Sequence, residues 1–214
     1  MRNRMLMAMA VVALVGCGGE SKDQNKSGSS DEVNEVVTYT LNIPDKADPL
    51  YNVGDYYSQD GLSGVIFWVD GDGEHGLLVA MSETRAQWCT DDRMPSQRAA
   101  VGASHFADGR ANNDAVLLHN ASYSFPAFEW CAKQGDAWYI PAVNEMKELC
   151  RNLGTINDAI KANGGTPISQ ALYATSTEKN SCECYYFVAD DGGSGYHHYS
   201  DKTDSYLVRP IAAF

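Results

Sequence analysis

Two apolar runs, Gly64-Val65-Ile66-Phe67-Trp68-Val69 and Leu77-Leu78-Val79-Ala80-Met81, stand on either side of the segment DGDGEHG. Asp and Gly at that density turn a chain, and short apolar runs flanking a turn read as a β-hairpin. The first run is apolar on both faces, so its strand has to be covered on both. That places the hairpin inside a core, within a small and mostly antiparallel sheet. The rest of the fold must supply the cover.

Downstream, Trp88 to Asn120 is polar, holds Gly102, Gly109 and the run ADGRANND, and is expected to be loop. Ser124 stands as an N-cap with Pro126 in the first turn, which predicts a helix from about Phe125 to Gln134 that stops at Gly135. In WYIPAVNEMKELC, Trp138 and Ile140 face one way on an extended segment and Pro141 opens a second helix. Val143, Met146, Cys150 and Leu153 recur every three to four residues along it, Leu149 widens the stripe, and Gly154 ends it. A shorter helix, Ile156 to Asn163, closes on Gly164-Gly165. Three strands follow, Ala171 to Ser176, Cys184 to Ala189 and Tyr206 to Ala212, separated by EKNS and by the polar loop DDGGSGYHHYSDKTDS. Strands, then helices, then strands make an α+β fold with helices beside an antiparallel sheet, not an alternating parallel-sheet fold.

The N-terminus is a separate matter. A basic Met-Arg-Asn-Arg start, apolar residues from Met5 to Val15 and the tetrapeptide Leu14-Val15-Gly16-Cys17 are the pattern of a lipoprotein export signal. The apolar run is well short of the ~20 residues that cross a bilayer core. Residues 1–16 are therefore expected to be a cleaved leader, with Cys17 lipidated and the protein held at the outer membrane or cell surface by acyl chains. Residues 17–35 are Gly, Ser, Asp, Glu, Lys, Asn and Gln with almost nothing apolar, a composition that cannot offset its ordering entropy, and read as a tether. Val37, Tyr39, Leu41 and Ile43 alternate as a short strand before Pro44 and Pro49, and 36–214 is read as one domain.

Removing Arg2 and Arg4 with the leader takes the 16 basic residues to 14 against 28 acidic ones, a formal charge of −14. Such a surface repels phosphate backbones and anionic headgroups, so no nucleic-acid partner is expected, and membrane contact is through the lipid anchor only. Beyond Cys17 there are Cys89, Cys131, Cys150, Cys182 and Cys184, an odd number for an oxidising compartment. At most two disulfides fit, with one thiol over. Cys182 and Cys184 share a strand face, too far apart for an unstrained mutual bond, so each is expected to meet a different helix or loop; the pairing is open.

Four stretches, GVIFWVDGDGEHGLLVA, WYIPAVNEMKELC, YATSTE and YLVRPIAAF, resemble in order and spacing the Lcl C-terminal domain family, common in lipoproteins of gut Bacteroidetes. The resemblance covers about Val53 to Phe214. It implies a C-type-lectin-like fold, a twisted antiparallel sheet flanked by two or three helices with long loops, and a role in adhesion or ligand binding. The chain departs from the family's founding adhesin in lacking a collagen-like stalk. It also has none of the EPN- and WND-style tripeptides that hold calcium and sugar in true C-type lectins, so calcium-dependent sugar binding is not expected.

Candidate chemistry is sparse. Glu145 and Glu148, three apart on the second helix, have the spacing of an acid–base pair, but a first-turn carboxylate complements the helix dipole, and a structural role is the better reading. Arg209, flanked by Leu207, Val208 and Ile211, needs a buried partner, and Glu145 is the expected one. Asp70, Asp72 and Glu74 imitate the start of a calcium loop, yet His75 stands where glycine is required, and a hairpin turn explains them. His197 and His198 beside Asp190, Asp191 and Asp201 diverge too far for a metal site, so no metal and no cofactor are expected. Cys182 and Cys184 also raise an enzyme reading like the formylglycine-generating oxygenases, which share the lectin-like fold and use paired cysteines with copper; the signature segments of those enzymes are not visible. The favoured site is aromatic. Tyr185, Tyr196, His197, His198 and Tyr199 border a loop of Gly, Ser and Asp, combining flat apolar faces with hydrogen-bonding edges. The expected function is a non-catalytic surface domain that binds a glycan or an extracellular protein, with a structural part in an envelope assembly as the further alternative. Metabolic labelling with a radioactive fatty acid should mark the wild-type chain and not Cys17→Ser; labelling of the variant would remove the anchor.

Overall fold

The computed structural model describes residues 50–190 and 195–214. The leader, Cys17, the tether and the strand expected at 36–43 lie outside the described residues. Lys46–Phe214 forms one compact unit, and every core cluster among the described residues lies within it.

The anticipated hairpin is present as β2 (Leu62–Val69) and β3 (Gly76–Val79), preceded by β1 (Tyr56–Gln59). Phe67 is the extra residue of a bulge in β2, where the register to β3 shifts between Ile66 and Trp68. Both faces of β2 are covered, as its composition requires. Val65 and Phe67 join one cluster with the helices, while Ile66 packs with Tyr57 and Leu78 on the other side. Phe67 is fully buried, and an aromatic side chain so placed contributes ~1.5–3 kcal/mol.

After β4 (Thr84–Gln87), a strand with no apolar alternation to announce it, the polar stretch contains a helix, α1 (Gly109–Leu118), where loop was expected. Asp108 caps it by accepting from Ala111 N–H at 2.8 Å. Its inner side is largely polar: Asn113 bonds Ile140 through both its amide nitrogen and its oxygen, and Asn112 bonds His105 in the same two-way manner. A helix anchored by amides has no apolar period to read. Next come α2 (Pro126–Ala132) and α3 (Val143–Arg151), close to expectation, although the start of α2 is held by Glu129, which accepts from Phe125 N–H, while Ser124 bonds Thr90. Gly154 does not end α3. Asn152 separates it from α4 (Leu153–Ala162), and Gly154 lies in the first turn of that helix.

The remaining strands are β5 (Leu172–Glu178), β6 (Glu183–Val188), β7 (Tyr196–Asp201), β8 (Ser205–Val208) and β9 (Ile211–Ala213). Two expectations change here. The YHHYSD part of the supposed loop is a strand, and the single strand expected over Tyr206 to Ala212 is two strands in different sheets, broken at Arg209-Pro210. The sheets have the orders β1-β2-β3-β9 and β4-β8-β5-β6-β7, antiparallel except for the β5–β8 pair. The fold class is α+β. One core lies between α3, α4 and strands of both sheets; another, around Trp88 and Phe128, lies under α1 and α2.

Arg209 is fully buried between β8 and β9. It donates to Ala80 O at 2.9 Å, to Thr166 O at 2.7 Å and to Glu83 Oε2 at 2.6 Å. Tyr173 OH donates to the same Glu83 oxygen at 3.1 Å. The expected Arg209–Glu145 pair is therefore corrected to Arg209–Glu83. Glu145 is occupied elsewhere: Oε2 accepts from Ala142 N–H at 2.7 Å and Gly109 N–H at 3.0 Å, and Oε1 from Tyr139 OH at 3.0 Å. It joins the starts of α1 and α3, and only glycine fits at 109, because a Cβ there would sit 2.5 Å from Glu145 Oε2 and 2.7 Å from Ile140 O.

Urea unfolding separates the two carboxylates. Glu83→Ala, which strands a buried guanidinium, should cost ~3–5 kcal/mol and couple strongly to Arg209→Met. Glu145→Ala should cost ~1–3 kcal/mol through three abandoned donors. It should add to Arg209→Met within ~0.5 kcal/mol; a larger coupling would restore the original pairing.

Candidate binding surface on the outer hairpin

The aromatic residues singled out in the sequence lie on β6 and β7, which pair in unbroken register from Glu183 opposite Asp201 to Val188 opposite Tyr196. Side chains alternate across a strand, so the structure divides the set. Tyr185, His197 and Tyr199 share one face, with ring centroids 5.5 Å apart for Tyr185–His197 and 6.3 Å for Tyr185–Tyr199. His198 belongs to the opposite side by register, 5.9 Å from Tyr186, which stacks on Tyr206 at 4.8 Å, but its ring turns at the strand edge to stack on that of Tyr199 at 4.7 Å. Tyr196 shares the His198 side by parity and is 62% exposed.

Two residues of the first face came from elsewhere in the chain. Phe106, ahead of α1, lies 5.1 Å from Tyr185 and 6.0 Å from His197. Lys179 places Nζ 2.8 Å from the Tyr199 ring centroid and 3.0 Å from Glu183 Oε2. Hydrogen bonds from Lys179 and Asn180 hold the Glu183 carboxyl below its usual range. Phe106 and Tyr199 are each 39% exposed, so the patch opens to solvent with rings meeting edge to face.

Polar anchors behind the patch fix its parts. His105 O accepts from Asn112 Nδ2 at 2.7 Å and Thr177 Oγ1 at 2.9 Å, and Phe106 O accepts from Asn144 N–H at 2.8 Å. Glu178 accepts from Val101 and Gly102 N–H at 2.8 Å each and from buried Lys202, whose ammonium stands 4.6 Å from the Trp88 ring centroid. Arg98 holds both carboxylate oxygens of Asp201 at 2.9 Å. The loop that carries Phe106 is thus tied to the base of the hairpin that carries Tyr185.

The other candidates are placed apart. Glu148 pairs with Arg151 at 2.9 Å on the helix exterior, away from the bonds of Glu145. Asp70 Oδ1 accepts from Asp72 and Glu74 N–H, forming the hairpin turn. Among the described residues, no group of three or more His, Cys, Asp or Glu side chains is placed to hold a metal.

The disulfide expectation is overturned: Cys89, Cys131, Cys150, Cys182 and Cys184 are all free thiols. Four are buried as small apolar fillers, Cys150 in the α3–α4 core and Cys89, Cys131 and Cys184 in the Trp88 core. Burial pushes the Cys131 and Cys150 thiols up to about 12 and also raises Cys89 and Cys184. Cys182 is half-buried with Sγ 3.7 Å from Pro95 O, so the CxC thiols meet different surroundings.

No family model matches the sequence, and no curated protein matches it. The fold is similar to that of a fimbrial protein from Bacteroides ovatus ATCC 8483, with a TM-score of 0.59 and 18% identity over 77% of this chain. The match covers 49% of that protein, so the chain spans about half its length.

Thiol titration with a disulfide reagent tests the sulfur assignment. Folded Lys46–Phe214 should react at Cys182 alone, and denaturation should release all five thiols; fewer than five would reinstate a bridge.

Proposed function

We propose that this protein is a non-catalytic surface lipoprotein, anchored through Cys17, whose folded domain binds a glycan through the Phe106, Tyr185, His197 and Tyr199 patch. The observation that carries the reading is that patch: four rings from three separate elements, open to solvent and fixed from behind by buried polar bonds. Ring faces and edges suit the C–H faces of sugars, while Lys179, Glu183 and the phenol hydroxyls offer hydrogen bonds around them. The resemblance to the Lcl C-terminal domain family supports adhesion as the purpose.

A structural part in an envelope or fimbrial assembly is the second reading, favoured by the similarity in fold to a fimbrial protein. It is compatible with the first, since an assembled subunit can present a binding face.

A glycan array probed with Lys46–Phe214, with and without a calcium chelator, tests the first reading. Binding should survive chelation. Tyr185→Ala and Tyr199→Ala should each weaken it about tenfold, ~1.4 kcal/mol, while Tyr186→Ala on the opposite face should leave it intact. Equal losses from both faces, or no glycan bound, would sink the assignment.

A further inference from the structure

Among the described residues, the five-stranded sheet ends on β7. Lys202 N–H donates to Cys182 O at 2.9 Å, which sets the phase of the β6–β7 ladder. Ser200, His198 and Tyr196 then bond back to β6, and the N–H and C=O of His197 and Tyr199 point outward. Among the described residues, nothing meets the His197 groups or the Tyr199 N–H; Tyr199 O has only His198 Nδ1, at 3.1 Å.

The other sheet edges differ. β1 and β4 are four residues each, and β9 is three residues with its outer side bonded to Tyr139 by two 2.9 Å bonds at Ile211. Among the described residues β7 is the longest edge, six residues with no Pro, no Lys and no bulge, the features that usually blunt an open strand. Charge does not guard it either. Asp201 at its end is held by Arg98, and Glu183 on the neighbouring strand by Lys179.

Groups with this spacing are met by another strand, and the side chains indicate which one. A two-fold pairing needs residue i to meet j and j to meet i. With His198 on the axis, the ladder phase puts His197 opposite Tyr199 of a second copy, and Tyr199 opposite its His197. Two aromatic cross-strand pairs then form on the Phe106 face, His198 meets His198 on the other, and Tyr196 meets Ser200. We infer that the outer edge of β7 is a self-association surface, on which a second copy of this chain adds its own β7 antiparallel and joins two five-stranded sheets into one of ten. The joint is small, so the dimer is weak, and the excess of acidic over basic residues on each chain opposes it over distance.

Sedimentation velocity on Lys46–Phe214 from about 1 μM to about 1 mM tests this. The dimer should grow with concentration and with added salt. His197→Pro removes an outward N–H without touching the β6 ladder, and His198→Lys sets two ammonium groups face to face. Each should raise the dissociation constant at least tenfold with an unchanged far-UV spectrum; if the proline variant unfolds, the lysine variant decides. Hydrogen exchange at the His197 and Tyr199 amides should slow as the dimer forms. A chain monomeric at the top concentration, a dimer indifferent to His198→Lys, or unprotected amides in the dimer would each overturn the inference, as would capture of a foreign peptide strand by a strictly monomeric chain. Glycan binding by such a monomer would leave the proposed function standing, so the two fail separately.

Discussion

Arg209 is where the architecture is held together. The chain passes from the first sheet to the second between β3 and β4, and returns between β8 and β9. Both crossings meet at one guanidinium, which binds Ala80 and Glu83 on the outward passage from its own place on the return. Ala80 N–H donates to Pro210 O at 3.0 Å, so the two passages also touch through backbone. Thr166 O, the third acceptor, brings in the segment leaving α4. A buried cation is costly unless its donors are met. Here only Nε lacks a partner, and the fold accepts that cost to fix two sheets and a helix exit with one side chain.

A second set of buried polar groups does similar work around the helices. Glu145 joins the starts of α1 and α3, Asn113 fastens α1 to the strand-like segment at Ile140, and the Glu178–Lys202 pair closes the base of the outer hairpin beneath Trp88. These contacts specify geometry more sharply than apolar packing, because each donor accepts few positions. They are the reason a long irregular loop can hold Phe106 beside a ring on a distant strand.

Where burial imposed a period, the sequence could be read: both faces of β2 and the stripe of α3 were visible. α1 was not, since Asn112, Asn113 and Gly109 face inward in place of leucines. The apolar run from Tyr206 to Ala212 looked continuous because both halves are buried; the sheet change at Arg209-Pro210 depends on what lies across from it. That Arg209 needs a carboxylate followed from its neighbours, but Glu83 and Glu145 differ only in where the fold carries them. In the candidate surface, Tyr185, His197 and Tyr199 were legible as aromatics and illegible as a face, because Gly and Asp around His197 and Tyr199 suggested loop where β7 runs. Phe106 is some 80 residues from Tyr185 in the chain and gave no sign of joining it.

The sulfur chemistry has a consequence for how such a domain comes into being. Four thiols are sealed in two cores with their ionisation suppressed, and none is spent on a crosslink. Closure of the fold therefore consumes no electron acceptor. The two cores close on packing and buried polar bonds rather than on crosslinks among the described cysteines, and Cys182, half-buried, is the described thiol that an oxidant reaches first.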